Sequence, residues 1–225
     1  MEHNKPKSNF LSSPATKIII PVVAVILLLI IFYAAVISTD GIAKGISVNG
    51  TYIGGKSLSN AAELLSGKTI PENQIITVNT AGGARTEFSA ADIQLSHNAE
   101  ATAQTAYALT HTGNIVKDAA KKAELFFSHK DIPFQCDADI GKLDDILYEF
   151  GAEQNGELEN YILDFNGEYV NVSRGKPGQS RDVSKARETV LDAAAKDNFT
   201  VTAEFAKSEP PMPDLGSLFD AVYIA

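Results

Sequence analysis

The longest apolar stretch of the chain runs from Ile18 to Ile37, twenty residues without a charged side chain. A helix of about 20 apolar residues is long enough to cross the hydrocarbon core of a bilayer. A cleaved signal peptide has a shorter apolar core, which is followed by a small-residue cleavage site. Here the best small-residue pair, Ala34-Ala35, lies inside the apolar stretch. The pattern therefore predicts a retained transmembrane signal anchor over residues 18–38, behind a tail of residues 1–17.

Beyond the anchor, segments with a helical period alternate with segments of strand period. Apolar residues recur every third or fourth position in five segments, which predicts helices over residues 58–65, 99–113, 115–126, 140–150 and 183–194. Extended apolar patterns predict strands over residues 46–53, 74–79, 85–88, 132–136 and 199–205. Asn166-Gly167 separates two alternating runs within residues 161–173, and this dipeptide favours the tight turn of a β-hairpin. The predicted fold class is α+β, with mixed helices and antiparallel strands in the ectodomain, preceded by one transmembrane helix.

One of the predicted units occurs twice. Residues 58–65 align without a gap over residues 183–190, and a serine, an alanine and a glutamate match in register. Each copy follows a glycine-containing turn, and the strands that trail the two helices begin at Ile75 and Phe199. Glycine lets a chain reverse tightly after a strand, and the polar residues that follow it start a helix. We therefore predict that the two copies occupy comparable structural roles.

These elements suggest a division of the ectodomain. Residues 39–130 are predicted to form a first α+β subdomain with a helical insert, and residues 131–208 a second domain. Prolines 210, 211 and 213 mark an extended linker, so residues 209–225 are assigned to a linker and the start of a further module. The apolar end of the sequence predicts that the chain is one piece of a longer protein with a downstream domain.

The charge distribution predicts how the chain is oriented in the membrane and which classes of partner the ectodomain does not suit. Lys5, Lys7 and Lys17 precede the anchor against the single acid Glu2, which predicts a cytoplasmic N-terminus and an ectodomain on the other side of the membrane. Without these four residues, the 19 basic and 28 acidic side chains fall to 16 and 27, a net charge of −11. An ectodomain with this charge is not expected to bind nucleic acid, because proteins contact its phosphates with cationic side chains.

The residues that usually carry catalysis do not form a recognisable site. His97, His111 and His129 are 14 and 18 positions apart, which is not a metal-ligand spacing. The neighbouring acids Asp144 and Asp145 suit a solvated helix face, and Cys136 has no adjacent base. We therefore predict no catalytic residue, no metal and no cofactor in this chain.

One segment has side chains suited to recognition. Three cations and two amides surround a predicted strand-to-helix turn, and they are the candidate ligand-binding residues Asn171, Arg174, Lys176, Gln179 and Arg181. Cations and a helix N-terminus both favour carboxylates, which the peptide stems of peptidoglycan carry. The alternative is that the glycines and Asp182 serve only the turn and the helix cap.

The anchor, the opening ISVNGTYIGGKSLSNAAELL and the element YVNVSRGKPGQSRDVSKARETVL together resemble a known family. It is the putative peptidoglycan-binding domain that precedes VanW-like domains and some L,D-transpeptidase catalytic domains. The resemblance covers about residues 44–208, and the second predicted domain, residues 131–208, is assigned to this family. It implies an α+β module that faces the cell wall and is generally placed before another domain. The single cysteine, Cys136, is compatible with a wall-facing domain of the Gram-positive type. The Ser-His-Gly-Cys signature of the transpeptidases does not occur in the sequence, where Cys136 lies between Gln135 and Asp137.

Two functions are consistent with these observations. The ectodomain binds peptidoglycan, or it is a spacer that holds a partner domain at a set distance from the membrane. Within the resemblance, the chain would alternatively be the non-catalytic N-terminal part of an L,D-transpeptidase-like enzyme or of a VanW-like glycopeptide-resistance accessory protein.

Overall fold

Short strands and mid-length helices make up the computed structural model, which describes residues 14–38, 40–165 and 169–211. The helices are α1 (Pro14–Phe32), which continues as a π-helical turn (Tyr33–Ile37), then α2 (Leu58–Ser66), α3 (Ala99–Ala108), α4 (Ile115–Ser128), α5 (Ile140–Asn155) and α6 (Ser184–Ala194). The strands are β1 (Ile46–Val48), β2 (Thr51–Tyr52), β3 (Ile75–Asn79), β4 (Arg85–Ser89), β5 (Ser96–Asn98), β6 (Lys130–Ile132), β7 (Gln135–Asp137), β8 (Ile162–Phe165), β9 (Val170–Ser173), β10 (Gly178–Gln179), β11 (Thr200–Thr202) and β12 (Lys207–Ser208). The predicted α+β class is confirmed, and the helix ending at Ile37 is long and apolar enough to cross a membrane.

The described residues form two compact units that are each discontinuous in sequence. Unit 1 contains the residues up to Leu65 and Ala99–Ile132, and unit 2 contains Ser66–Asn98 and the residues from Pro133 onward. The sequence predicts one subdomain over residues 39–130, whereas residues 66–98 belong to unit 2. Strand pairing explains this difference, because residues 75–79 pair with strand partners near residue 200.

Unit 1 is built around a small sheet in the order β2-β1-β6, in which β1 and β6 are parallel. Its apolar core contains fully buried side chains from the sheet, from α2 and from α4, among them Ile46, Val48, Leu65 and Leu125. Gly45 has a φ of 91°, and a Cβ there would lie 2.0 Å from the carbonyl oxygen of Leu125. The close approach of α4 to β1 therefore requires glycine at this position.

Unit 2 has its core between the sheet β11-β3-β4 and helices α5 and α6. The central strand β3 is parallel to β11 and antiparallel to β4, and Ile76 and Val78 are fully buried. Leu143, Leu147 and Phe150 on α5 pack in the same cluster as Ala186, Val190 and Ala194 on α6. These two triplets are the apolar stripes that the helical period predicted.

The predicted hairpin within residues 161–173 is confirmed as β8 and β9, which pair antiparallel from Ile162–Ser173 to Phe165–Val170. Its proposed turn residues Asn166 and Gly167 lie outside the described residues, as does the chain after Pro211. The strand predicted over residues 132–136 is replaced by two strands, β6 and β7, because Pro133 and Phe134 interrupt the extended run.

The duplicated unit is confirmed in its second half only. In both copies a helix is followed by a strand, and the two trailing strands, β3 and β11, lie side by side in one sheet. The leading strands differ, because β2 pairs with β1 whereas β10 pairs with β12. The glycines also differ, since Gly55 has a φ of 77° while Gly178 lies within a strand. The prediction of comparable roles for the whole unit is therefore wrong.

We expect the α5 stripe to determine the stability of unit 2. The Leu147→Ala variant removes a fully buried side chain and should lower the free energy of unfolding by about 2 to 5 kcal/mol. Ile140→Ala, on the same helix but 42% exposed, is the matched control and should cost less than about 1 kcal/mol. Urea unfolding of the detergent-solubilised chain measures both, and equal losses would contradict the assigned core.

Candidate functional site

The segment that carries the candidate residues is held by backbone pairing in unit 2. The backbones of Glu159 and Lys176 exchange hydrogen bonds of 3.0 and 2.9 Å, and the Gln179 amide donates to the carbonyl of Gly156 at 2.7 Å. Gly178 belongs to β10, which pairs with β12. A Cβ on Gly178 would lie 2.3 Å from the backbone carbonyl of Glu157, so the close approach of these two segments requires glycine.

Gln179 is a structural residue in this arrangement. Its side chain is buried, at 4% exposure, and its Oε1 accepts a hydrogen bond from Asn155 Nδ2 at 3.2 Å. Its Nε2 donates to the carbonyl of Ser180 at 3.0 Å. Both ends of the amide are thus used within the protein, and the buried amide fixes the end of α5 to the start of the β10–α6 connection.

The three cations of the segment are exposed and have different neighbours. Lys176 Nζ lies 2.8 Å from Glu159 Oε1, in an ion pair open to solvent. The guanidinium carbon of Arg181 lies 4.1 Å from the centre of the Tyr148 ring, within the range of a cation–π contact. Arg174 is exposed in the connection between β9 and β10, and Asn171 is exposed on β9 opposite Asp164.

A cleft of about 190 Å³ lies beside this segment, between the start of α6 and the chain that follows β11. Its walls include Gln179, Ser180, Asp182, Lys185 and Glu204. Lys185 and Glu204 form a hydrogen-bonded ion pair at the surface, which raises the pKa of Lys185 and lowers that of Glu204. The cleft therefore offers both signs of charge to a ligand.

The N-terminus of α6 is already occupied by a carboxylate of the chain. Asp182 Oδ1 accepts a hydrogen bond from the Ser184 amide at 3.1 Å, and the hydrogen bonds from Ser184 lower the pKa of Asp182. The sequence predicts that this helix end favours an external carboxylate. Because Asp182 takes that position, the cations beside the helix are the more accessible groups for an acidic ligand.

Cys136 does not have the environment of a nucleophile. Burial raises the pKa of its thiol to about 11, and the charges of Asp197 and Asp137 add to the effect. A catalytic thiol needs the opposite shift, because the thiolate is the reactive form. His97, which faces Cys136 across the β5–β7 pair, stacks on Phe134 with ring centres 3.9 Å apart. Its Nδ1 lies 3.1 Å from the Lys68 carbonyl, so this imidazole serves packing and hydrogen bonding in unit 2.

Within residues 14–38, 40–165 and 169–211, no cluster of three or more histidine, cysteine, aspartate or glutamate side chains has the arrangement of a metal site.

The family described as "Putative peptidoglycan binding domain" matches residues 86–202, which is more than half of the chain. The chain belongs to this family. The match begins in β4 and ends in β11, and it includes all five candidate residues. The matched family is a binding domain, and the match includes no catalytic motif. The match also does not include the VanW-like or transpeptidase domains that the resemblance implied as neighbours. No curated protein and no solved structure matches the chain.

Sequence reasoning missed the cleft and its ion pair. Lys185 lies in the first turn of α6, and the sequence alone predicts no role for it. Glu204 follows β11 and is 19 residues away, and no local pattern links the two. Only the pairing of β10 with β12 and the position of α6 bring these side chains together.

The raised pKa of Cys136 predicts a slowly reacting thiol. Iodoacetamide labelling of the folded chain should remain slow at pH 8 and reach half its maximal rate near pH 11, against the ordinary value of 9.0. Asp197→Asn removes a nearby negative charge that favours the neutral thiol, so it should shift the profile to lower pH. The matched control is Asp192→Asn on the exposed side of α6, which should leave the profile unchanged. A profile of the parent chain centred at or below pH 9 would contradict this environment.

Proposed function

We propose that the chain is a membrane-anchored module on the outside of the cell that associates with the cell wall by binding peptidoglycan. The observation that carries the proposal is the family match over residues 86–202. The contact surface that we propose comprises the exposed cations Arg174, Lys176 and Arg181 and the adjacent cleft, and we call it the cationic rim. Asn171 precedes these cations on β9 and supplies an exposed amide.

The chemistry of the cationic rim suits peptide stems. Exposed guanidinium and ammonium groups form charge-assisted hydrogen bonds with carboxylates, and their contribution falls as salt screens the charges. The surrounding ectodomain is strongly acidic, so a local group of cations makes a selective contact for an anionic ligand. Gln179 lines the cleft, but we do not assign it a ligand-binding role because its amide is buried and hydrogen-bonded within the protein.

The size of the cleft restricts what can enter it. Its volume of about 190 Å³ is smaller than the roughly 300 to 1,000 Å³ that is typical of small-molecule sites. It therefore suits one amino-acid residue of a stem peptide rather than a complete disaccharide-peptide. Because Lys185 and Glu204 border it, an amino acid that carries both an amine and a carboxylate would find a partner for each group.

The proposed location depends on the N-terminal helix. Ile18–Ile37 has the length and composition of a membrane span, and its apolar side chains, such as Leu28 and Ile31, are exposed in the described structure. Lipid would cover these side chains. The lysines that precede the helix favour a cytoplasmic N-terminus, which puts residues 39–225 on the side of the cell wall.

A sacculus pull-down tests the cationic rim. The triple variant Arg174→Ala/Lys176→Ala/Arg181→Ala should bind purified sacculi roughly 3- to 100-fold more weakly, because exposed charge contacts contribute about 0.2 to 1 kcal/mol each. The parent chain should also lose binding as salt is raised.

The matched control removes three exposed cations elsewhere in unit 2, in the variant Lys68→Ala/Arg85→Ala/Lys196→Ala, which has the same net charge. Its binding should remain close to that of the parent. If both triple variants lose sacculus binding equally, the loss reflects the net charge of the chain and the cationic rim is not the binding site. If the parent chain does not sediment with sacculi, peptidoglycan binding is wrong and the spacer function is favoured.

The orientation is tested separately by protease treatment of intact spheroplasts. We expect added protease to degrade the ectodomain while a cytoplasmic marker stays intact, because residues 39–225 lie outside. Full protection of the ectodomain until the cells are lysed would contradict the orientation, whatever the result with sacculi.

A further inference from the structure

Two phenylalanines in the last turn of α4 contact the apolar N-terminal helix within unit 1. The ring centres of Phe126 and Phe127 each lie 5.8 Å from that of Phe32, edge-on for Phe126 and stacked for Phe127. Despite this contact, 73% of Phe127 is exposed. Phe127 and the apolar helix together form an exposed apolar surface. Such a surface indicates that lipid or protein, rather than water, contacts it.

A second contact shows at which level of the helix α4 lies. Lys122 Nζ donates a hydrogen bond of 3.3 Å to the carbonyl of Ile37, the last residue of the apolar stretch. Phe127 is five residues after Lys122, and Phe32 is five residues before Ile37. At about 1.5 Å per α-helical residue, the step along α4 covers about 7.5 Å. The ring contact shows that the step through the π-helical turn to Phe32 ends at the same level. The two segments therefore run side by side in opposite directions, and Phe127 reaches the level of Phe32.

This level is inside the apolar stretch. If Ile18–Ile37 spans the bilayer, its last residue marks the edge of the hydrocarbon, and Phe32 and Phe127 lie below that edge. An open apolar recess of about 540 Å³ surrounds the contact, lined by side chains of the apolar helix, by Phe126 and by Lys44. Acyl chains would fill such a recess, while the lysine reaches the headgroups, as long cationic side chains do at membrane surfaces.

The charge of unit 1 suits this position. Its ectodomain segments, residues 40–65 and 99–132, contain six basic and six acidic side chains, so they are neutral. The entire charge of −11 of residues 39–225 lies in the remainder of the chain, with ten basic and 21 acidic side chains. The segment that approaches the lipid is thus the part of the ectodomain that an anionic leaflet does not repel.

We propose that the last turn of α4 is a second membrane contact, in which the Phe127 side chain enters the leaflet at the C-terminal end of the span. Lys122 and Lys44 lie at the level of the headgroups. The inference rests on the proposed membrane anchor. Its consequence is that unit 1 is fixed against the bilayer surface through two helices, so the anchor does not act as a free tether.

Tryptophan fluorescence tests the depth of this turn, because the sequence contains no tryptophan and each substitution introduces a unique probe. The full chain is reconstituted into vesicles of phosphatidylcholine and phosphatidylglycerol, with and without bromine on the acyl chains. Phe127→Trp is the test variant, and its exposed position tolerates the larger ring. Val25→Trp reports the span itself.

Val116→Trp is the matched control on the same helix. Val116 is 78% exposed but lies six residues on the other side of Lys122, about 9 Å away from the hydrocarbon edge. We expect brominated lipid to quench Phe127→Trp several-fold more than Val116→Trp, with the reverse order for iodide in the aqueous phase.

The outcomes separate the inference from the anchor. If Val25→Trp is quenched by brominated lipid but Phe127→Trp is quenched only by iodide, the anchor is correct and the second contact is wrong. If neither quencher reaches Phe127→Trp, protein covers this turn, as in a contact with a second copy, and the proposal fails. Equal lipid quenching of Val116→Trp and Phe127→Trp would show a helix lying flat on the membrane, which also contradicts the proposed entry of the last turn. If Val25→Trp is not quenched by lipid, the anchor and the contact that rests on it are both wrong.

Discussion

The parallel pairing of β3 with β11 is the constraint on which unit 2 depends. Thr77 pairs with Thr200 and Val78 with Val201, so residues more than 120 positions apart become neighbours in one sheet. Closing so long a loop costs conformational entropy, which the apolar cluster between this sheet and helices α5 and α6 must offset. Because α6 leads directly into β11, this pairing also fixes the helix whose first turn borders the cleft.

The candidate surface follows from this arrangement. One wall of the cleft is the start of α6, and another is the chain after β11, which returns through β12 to pair with β10. The ion pair between Lys185 and Glu204 joins these two walls. Gln179 and Asp182 stabilise the connection through hydrogen bonds within the chain, so the proposed binding depends on the exposed cations around it. Under the proposed function, this one segment is both a structural turn and the surface that contacts the ligand.

The sequence predicted those features that depend on local periodicity. The stripes of α5 and α6, the hairpin β8–β9 and the apolar N-terminal helix follow from side-chain spacing over a few residues. Features that depend on distant pairing were not predictable in this way. Residues 66–98 join unit 2 through the pairing of β3 with β11 and of β5 with β7, and the burial of Gln179 depends on Asn155 and on the close approach at Gly178. An amide in a glycine-rich turn has the same local pattern whether it is buried or exposed.

The central claim is that unit 2 contacts peptidoglycan through the surface at the start of α6. Hydrogen–deuterium exchange of the full chain, measured with and without soluble muropeptides, tests it directly because it locates the contact. The account predicts slower exchange in peptides that cover residues 174–187 and unchanged exchange in peptides that cover residues 69–97. Protection confined to residues 69–97, or no protection anywhere at saturating muropeptide, would contradict it.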